Sequence, residues 1–76
     1  MAKARRDPLL RGLGSKVKQV RESKGWTQET LAAKASLDRS YVAGIEAGLR
    51  NPSTKALAKL ARALGVSLSG LFEDVG

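Results

Sequence analysis

The residues best suited to specific chemistry stand together in one short stretch of the chain. Arg39, Ser40 and Tyr41 are followed closely by Ala43 and Gly44. Arginine can donate two parallel hydrogen bonds to guanine O6 and N7, a serine hydroxyl can donate or accept, and tyrosine can pack on a thymine methyl group. Ala43 and Gly44 are small enough to let a helix lie deep in a groove. These five residues are the candidate base-reading set, and Arg39 is the first choice.

Catalysis and metal binding find little support in the composition. The 76 residues include no cysteine and no histidine, which removes disulfides, thiolate and imidazole ligands, and the commonest general base. The 7 Asp and Glu residues show no acid–base pairing. We therefore expect a protein that is not an enzyme and that uses no cofactor, metal or small-molecule ligand.

The charge balance favours a polyanionic partner. Lys and Arg number 14 against 7 Asp and Glu, which gives a net charge of +7. Nucleic acid is the first candidate partner and an anionic membrane the second. The alternative is a soluble basic domain with no polyanionic partner. The basic residues do not lie opposite one apolar face, which disfavours membrane binding. No apolar run approaches the roughly 18 residues of a spanning helix, and no signal peptide is apparent. We expect double-stranded DNA as partner and a cytoplasmic location.

Two short helices are predicted to position the candidate base-reading residues. Thr27 is a suitable N-cap for a helix that begins at Gln28, and Asp38 is a suitable N-cap for a helix over residues 39–47. Gly48 ends the second helix as a left-handed residue. Only two residues separate the helices, and this spacing is typical of a helix-turn-helix, in which the second helix can enter a DNA major groove.

Three further helices are predicted around this pair, over residues 15–24, 54–64 and 68–72, and Ser53 and Ser67 are suitable N-caps for the last two. Residues 1–12 are predicted to form a basic, mobile arm that is either solvated or reaches the DNA, and residues 13–76 form the domain. A chain of this length buries a thin core, so self-association would help it. The predicted fold class is all-α.

Several motifs stand at fixed spacing between residues 13 and 72. They are Thr27-Gln28, Leu31-Ala32, Leu37-Asp38-Arg39-Ser40-Tyr41-Val42, Ile45-Glu46, Gly48 and Asn51-Pro52-Ser53. Together these motifs resemble the phage-repressor (Cro-type, or XRE) helix-turn-helix family. The resemblance implies a compact, five-helix lambda-repressor-like DNA-binding domain. The start of the second helix of the pair, at residues 38–41, is similar to that of the small controller proteins of restriction-modification systems.

The resemblance also implies a function and two structural contacts. The function is that of a sequence-specific transcriptional regulator, a homodimer on a pseudo-palindromic operator. Arg21 and Glu46 match a partly buried salt bridge between the first helix and the recognition helix. The apolar last helix, with Leu68, Leu71 and Phe72, matches the dimer interface of relatives, although each of the three could instead belong to the core.

Residues at two helix ends are expected to contact the DNA backbone. The amides that follow Thr27 and Gln28 suit a phosphate, and Arg50 and Asn51 lie in the loop after the recognition helix. Ser36 takes a turn position that is commonly glycine in the family, and it would be strained at positive φ. An alternative function is a protein-interaction module such as an antitoxin, which would need a binding segment outside the helical domain.

Overall fold

The computed structural model describes residues 7–73, and residues 1–6 and 74–76 lie outside the described residues. No strand occurs in the described part of the chain, and the predicted all-α, five-helix fold is confirmed. The helices are Pro8–Ser23 (α1), Gln28–Ala35 (α2), Arg39–Glu46 (α3), Thr54–Leu64 (α4) and Leu68–Leu71 (α5).

Local capping chemistry explains where four of the helices begin. The side-chain oxygens of Thr27, Asp38, Ser53 and Ser67 each accept a hydrogen bond from a backbone N–H in the first helical turn. Such a bond satisfies one of the amides that has no partner inside the helix. All four N-caps predicted from the sequence are therefore formed.

The first helix begins earlier than the sequence predicted. Asp7 accepts a hydrogen bond from the Leu9 N–H at 2.8 Å, and Pro8 occupies the first helical position, where a missing N–H costs nothing. The helix therefore starts at Pro8 instead of Ser15, and the prediction of an arm was wrong for residues 7–12. The rest of that predicted arm, residues 1–6, lies outside the described residues.

The turn between α2 and α3 depends on a left-handed residue. Ser36 has φ 56° and ψ 45°, and it is the one non-glycine residue with positive φ in the described part of the chain. This conformation costs an L-residue about 1–2 kcal/mol. The turn therefore takes the shape that glycine would give, although serine occupies it.

The core is built from apolar side chains of all five helices. Val42 and Ile45 on the inner face of α3 are completely buried, so the opposite face of α3 is directed away from the core. The most deeply buried large side chains are Leu13, Leu31, Ile45, Leu60, Leu64, Leu71, Val17 and Val42.

The last helix divides its apolar residues between the core and the surface. Leu71 is 0% exposed, Phe72 is partly buried against the core, and Leu68 is 42% exposed. The prediction that Leu71 lies in a dimer interface was wrong, because its side chain closes the core of its own chain. Leu68 and Phe72 remain available for such a contact.

The helices α1 and α3 meet backbone to backbone at Gly14. A Cβ atom at this position would lie 2.3 Å from the Ile45 carbonyl oxygen and 2.6 Å from that of Glu46. Atoms cannot approach so closely, so only glycine allows this packing. Gly14 thus fixes how near the recognition helix lies to α1.

Candidate DNA-binding surface

The N-terminal turn of α3 projects from the domain. Arg39 and Ser40 are exposed, while the opposite face of the same helix is held in the core by Val42 and Ile45. The Asp38 cap fixes the start of the helix. Two of the five candidate base-reading residues therefore lie on an accessible surface of a rigidly held helix.

Tyr41 and Gly44 contact the segment that follows α3. The Tyr41 hydroxyl accepts a hydrogen bond from the Ser53 N–H at 3.3 Å, and the Arg50 guanidinium carbon lies 5.2 Å from the centre of the Tyr41 ring. A Cβ on Gly44 would lie 2.5 Å from Arg50 Cγ. Gly44 therefore makes room for the stem of Arg50. Ala43 is partly exposed between them.

This packing places Arg50 beside the recognition helix. Its stem crosses α3 at Gly44, and its charged head lies on the Tyr41 ring. An arginine stacked on an aromatic ring loses part of its freedom before it meets a ligand. The sequence predicted that Arg50 contacts DNA, but it did not indicate that Tyr41 and Gly44 position Arg50. These contacts form only when the loop after α3 folds back onto the helix.

The residues predicted to contact phosphate at the start of α2 are engaged within the protein. Thr27 caps α2 through the Thr30 N–H at 3.0 Å, and Gln28 Nε2 donates to Glu46 Oε1 at 3.0 Å. The Gln28 side chain thus joins the start of α2 to the end of α3. Asn51, the other predicted backbone contact, is exposed.

A buried ion pair joins α1 to α3. Arg21 Nε donates to Glu46 Oε2 at 2.7 Å, and Arg21 Nη2 donates to Glu46 Oε1 at 3.0 Å. The two side chains are 9% and 3% exposed. The hydrogen bond with Glu46 raises the pKa of Arg21, so the guanidinium remains charged. The ion pair implied by the resemblance is present, with the bidentate geometry that favours arginine over lysine.

A third hydrogen bond completes this network. Arg21 Nη1 donates to the Trp26 carbonyl oxygen at 2.6 Å, so the loop after α1 is tied to the same guanidinium. With the bond from Gln28, the Glu46 carboxylate is bonded from both α1 and α2. The orientation of α3 is therefore set by polar contacts as well as by the core.

Cations also line the outer face of α4. Lys55, Lys59 and Arg62 border shallow grooves there, and Lys34 at the end of α2 borders one of them. No acidic side chain lines these grooves. This face adds positive potential to a domain that already carries a net charge of +7.

No cluster of metal-binding side chains occurs between residues 7 and 73. Within the same range, every helix is too short or too polar to cross a lipid bilayer.

A three-residue turn between α2 and α3, with the start of α3 exposed and its inner face buried, defines a helix-turn-helix DNA-binding domain. A family model described as helix-turn-helix (HTH_3) matches residues 17–71. The chain therefore belongs to the helix-turn-helix family, and the resemblance drawn from its motifs is confirmed. It is a DNA-binding regulator of this family.

Several similar proteins have names that state a function. The chain is 44% identical over 63 residues to "Control protein C.MunI" of Mycoplasma sp, covering 82% of this chain and 85% of that protein. It is similar to the restriction-modification controller protein C.AhdI of Aeromonas hydrophila, with a TM-score of 0.81, 46% identity and coverage of 83% and 96%. A third match is the controller protein C.Esp1396I, crystallised as a tetramer in complex with its natural 35 base-pair operator, with a TM-score of 0.80, 41% identity and coverage of 90% of each chain.

Proposed function

We propose that this protein binds a pseudo-palindromic operator as a homodimer, with the start of α3 in the major groove. The observation that carries the proposal is the pair of exposed residues Arg39 and Ser40 on a helix whose inner face is completely buried. Arg39 reads guanine through two hydrogen bonds to O6 and N7, the commonest specific contact of this kind. The protein regulates transcription in the cytoplasm and catalyses no reaction.

Contacts to the DNA backbone set the register of the recognition helix. Arg50, stacked on Tyr41, is the first of these contacts, because its guanidinium already lies beside α3. Asn51 and the amides at the start of α2 supply others. Such contacts position the protein without reading sequence, so we assign discrimination between operators to Arg39 and Ser40.

Dimer formation follows from the small reading surface. One short helix contacts few base pairs, and two copies related by a twofold axis would read half-sites about 34–36 Å apart, one helical turn of DNA. Leu68, 42% exposed, and the partly buried Phe72 form the apolar end of the domain that we assign to the interface. The oligomeric state of C.Esp1396I on its operator supports assembly on DNA.

Similarity to proteins named as controllers of restriction-modification systems supports the same role for this chain. The experiment that tests the proposed function is selection of random DNA by the purified protein. We expect the selected sequences to share two inverted half-sites. A selected pool without any common sequence would contradict specific operator binding, and a single asymmetric site would contradict the twofold dimer.

Salt should weaken binding steeply. A dimer that neutralises about four to five phosphates is expected to lose about 100- to 500-fold in affinity between 50 and 200 mM salt, because binding releases condensed counterions. Fluorescence anisotropy with a labelled operator measures this slope. Equal affinity at both salt concentrations would contradict the proposed electrostatic contribution.

The Lys59→Ala variant is expected to bind all sequences more weakly while keeping the same sequence preference.

A further inference from the structure

The side chain of Ser40 is held by the residue that caps α3. The Ser40 hydroxyl donates its proton to Asp38 Oδ2, and the Ser40 backbone N–H donates to the same oxygen at 2.9 Å. A serine hydroxyl has one proton and two lone pairs. While Asp38 takes that proton, Ser40 offers only its lone pairs to a ligand. Both residues are exposed, so a ligand can reach these lone pairs.

Asp38 can accept hydrogen bonds but cannot donate one at neutral pH. The hydrogen bond from the Ser40 hydroxyl, followed by that from the Ser40 N–H, lowers the pKa of Asp38. The carboxyl group is therefore ionised, and an ionised carboxylate has no proton to give. Its place as N-cap, with an extended backbone at φ −72° and ψ 142°, keeps it next to Ser40.

The base edges in a major groove differ in the kind of hydrogen bond they can make. Adenine N6 and cytosine N4 donate, whereas guanine O6 and N7 and thymine O4 accept. Phosphate oxygens also accept. A hydroxyl group that presents only lone pairs can accept a hydrogen bond from an exocyclic amino group. A keto oxygen or a phosphate oxygen would repel it, because both sides are then acceptors.

We infer that Ser40 reads an exocyclic amino group, adenine N6 or cytosine N4, and that Asp38 is the positioning residue that imposes this preference. The inference rests on the proposed function, because it assumes that the start of α3 meets base edges. Capping alone does not explain the arrangement, since the Ser40 N–H already satisfies the cap. The hydroxyl bond is additional, and its consequence is a fixed hydrogen-bond polarity at an exposed position.

Removal of single base groups tests this inference. Comparison of sequences selected by the wild-type protein and by Ser40→Ala identifies the base pair that depends on Ser40. At that pair, adenine is replaced by purine, which lacks N6, or cytosine by 2-pyrimidinone, which lacks N4. We expect the wild-type protein to lose about three- to tenfold in affinity, the range of one hydrogen bond, and Ser40→Ala to lose nothing further. Ser40→Thr, which keeps the hydroxyl, should retain the dependence.

The Asp38→Gly variant tests the role of the carboxylate. Glycine is tolerated as an N-cap at little cost, and it removes the oxygen that accepts the Ser40 hydroxyl proton. We expect this variant to bind the operators with and without the amino group within about twofold of each other. Loss of the negative charge should raise the affinity for both operators equally. The ratio of the two affinities therefore reports only the dependence on the amino group. Thermal unfolding shows whether the variants remain folded.

Three results would overturn the inference while leaving operator binding intact. These are a Ser40-dependent loss on removing a keto oxygen, a Ser40-dependent loss on replacing one phosphate by a methylphosphonate, and an amino-group dependence unchanged in Ser40→Ala. Failure to select any common sequence is a different result, because it overturns the proposed function itself and the inference with it.

Discussion

The Glu46→Ala variant is expected to be destabilised by about 3–5 kcal/mol, the usual cost of removing one partner of a buried ion pair. Arg21 and Glu46 are 9% and 3% exposed, and their shortest contact is 2.7 Å. Without Glu46 the Arg21 guanidinium stays buried and charged, with the Trp26 carbonyl oxygen as its remaining buried partner. Urea unfolding followed by circular dichroism measures the change in the free energy of unfolding.

A second carboxylate near the same arginine provides a matched control. Glu22 lies 3.9 Å from Arg21 Nη2, but its side chain is 57% exposed, so Glu22→Ala should cost less than about 1 kcal/mol. Replacing both buried partners, in Arg21→Met with Glu46→Leu, should recover much of the loss, because no uncompensated charge remains. Equal destabilisation by Glu46→Ala and Glu22→Ala would contradict the structural role of the buried pair.

The Gly14→Ala variant is expected to be destabilised by about 3 kcal/mol, at the upper end of the cost of overpacking. The added Cβ would lie 2.3 Å from the Ile45 carbonyl oxygen, and a backbone atom cannot turn aside as a side chain can. The expected destabilisation is informative, because replacing Gly by Ala in a helix interior ordinarily stabilises a protein by about 1 kcal/mol.

The displacement caused by Gly14→Ala should also reach the DNA-binding surface. Since Ile45 and Glu46 belong to the same helix as Arg39, moving α3 away from α1 would lower operator affinity as well as stability. Ser15→Ala is the control, because Ser15 is the exposed neighbour in α1 and should change stability by less than about 0.5 kcal/mol. A Gly14→Ala protein as stable as the wild type would show that the two helices do not approach as closely as described.

Features that depend on neighbours in the chain could be predicted from the sequence. Four N-caps bond to amides only two or three residues away, at Thr27, Asp38, Ser53 and Ser67. Ser, Thr and Asp are preferred N-cap residues, so the residue types alone predict these caps. The inward face of α3 follows from helical spacing in the same way. The missed start of α1 was also local: Asp7-Pro8 is a regular helix start, but the glycines that follow argue against a helix.

Features that depend on residues distant in the chain could not be predicted from these rules. Gly14 contacts the backbone at Ile45, and the Gln28 amide reaches Glu46; nothing in the local sequence indicates either partner. The ion pair of Arg21 with Glu46 came from family resemblance, not from spacing. The polarity of Ser40 required knowing where its one proton goes, which the residue type leaves open.

The most direct test of the central claim is the affinity of the Arg39→Ala variant for the selected operator and for an operator with the contacted G·C pair replaced by A·T. We predict that the wild-type protein prefers the selected operator by at least about tenfold, within the range of one bidentate arginine–guanine contact, and that Arg39→Ala binds both operators equally. An Arg39→Ala protein that is folded and keeps the wild-type preference would contradict the assignment of α3 as the reading helix.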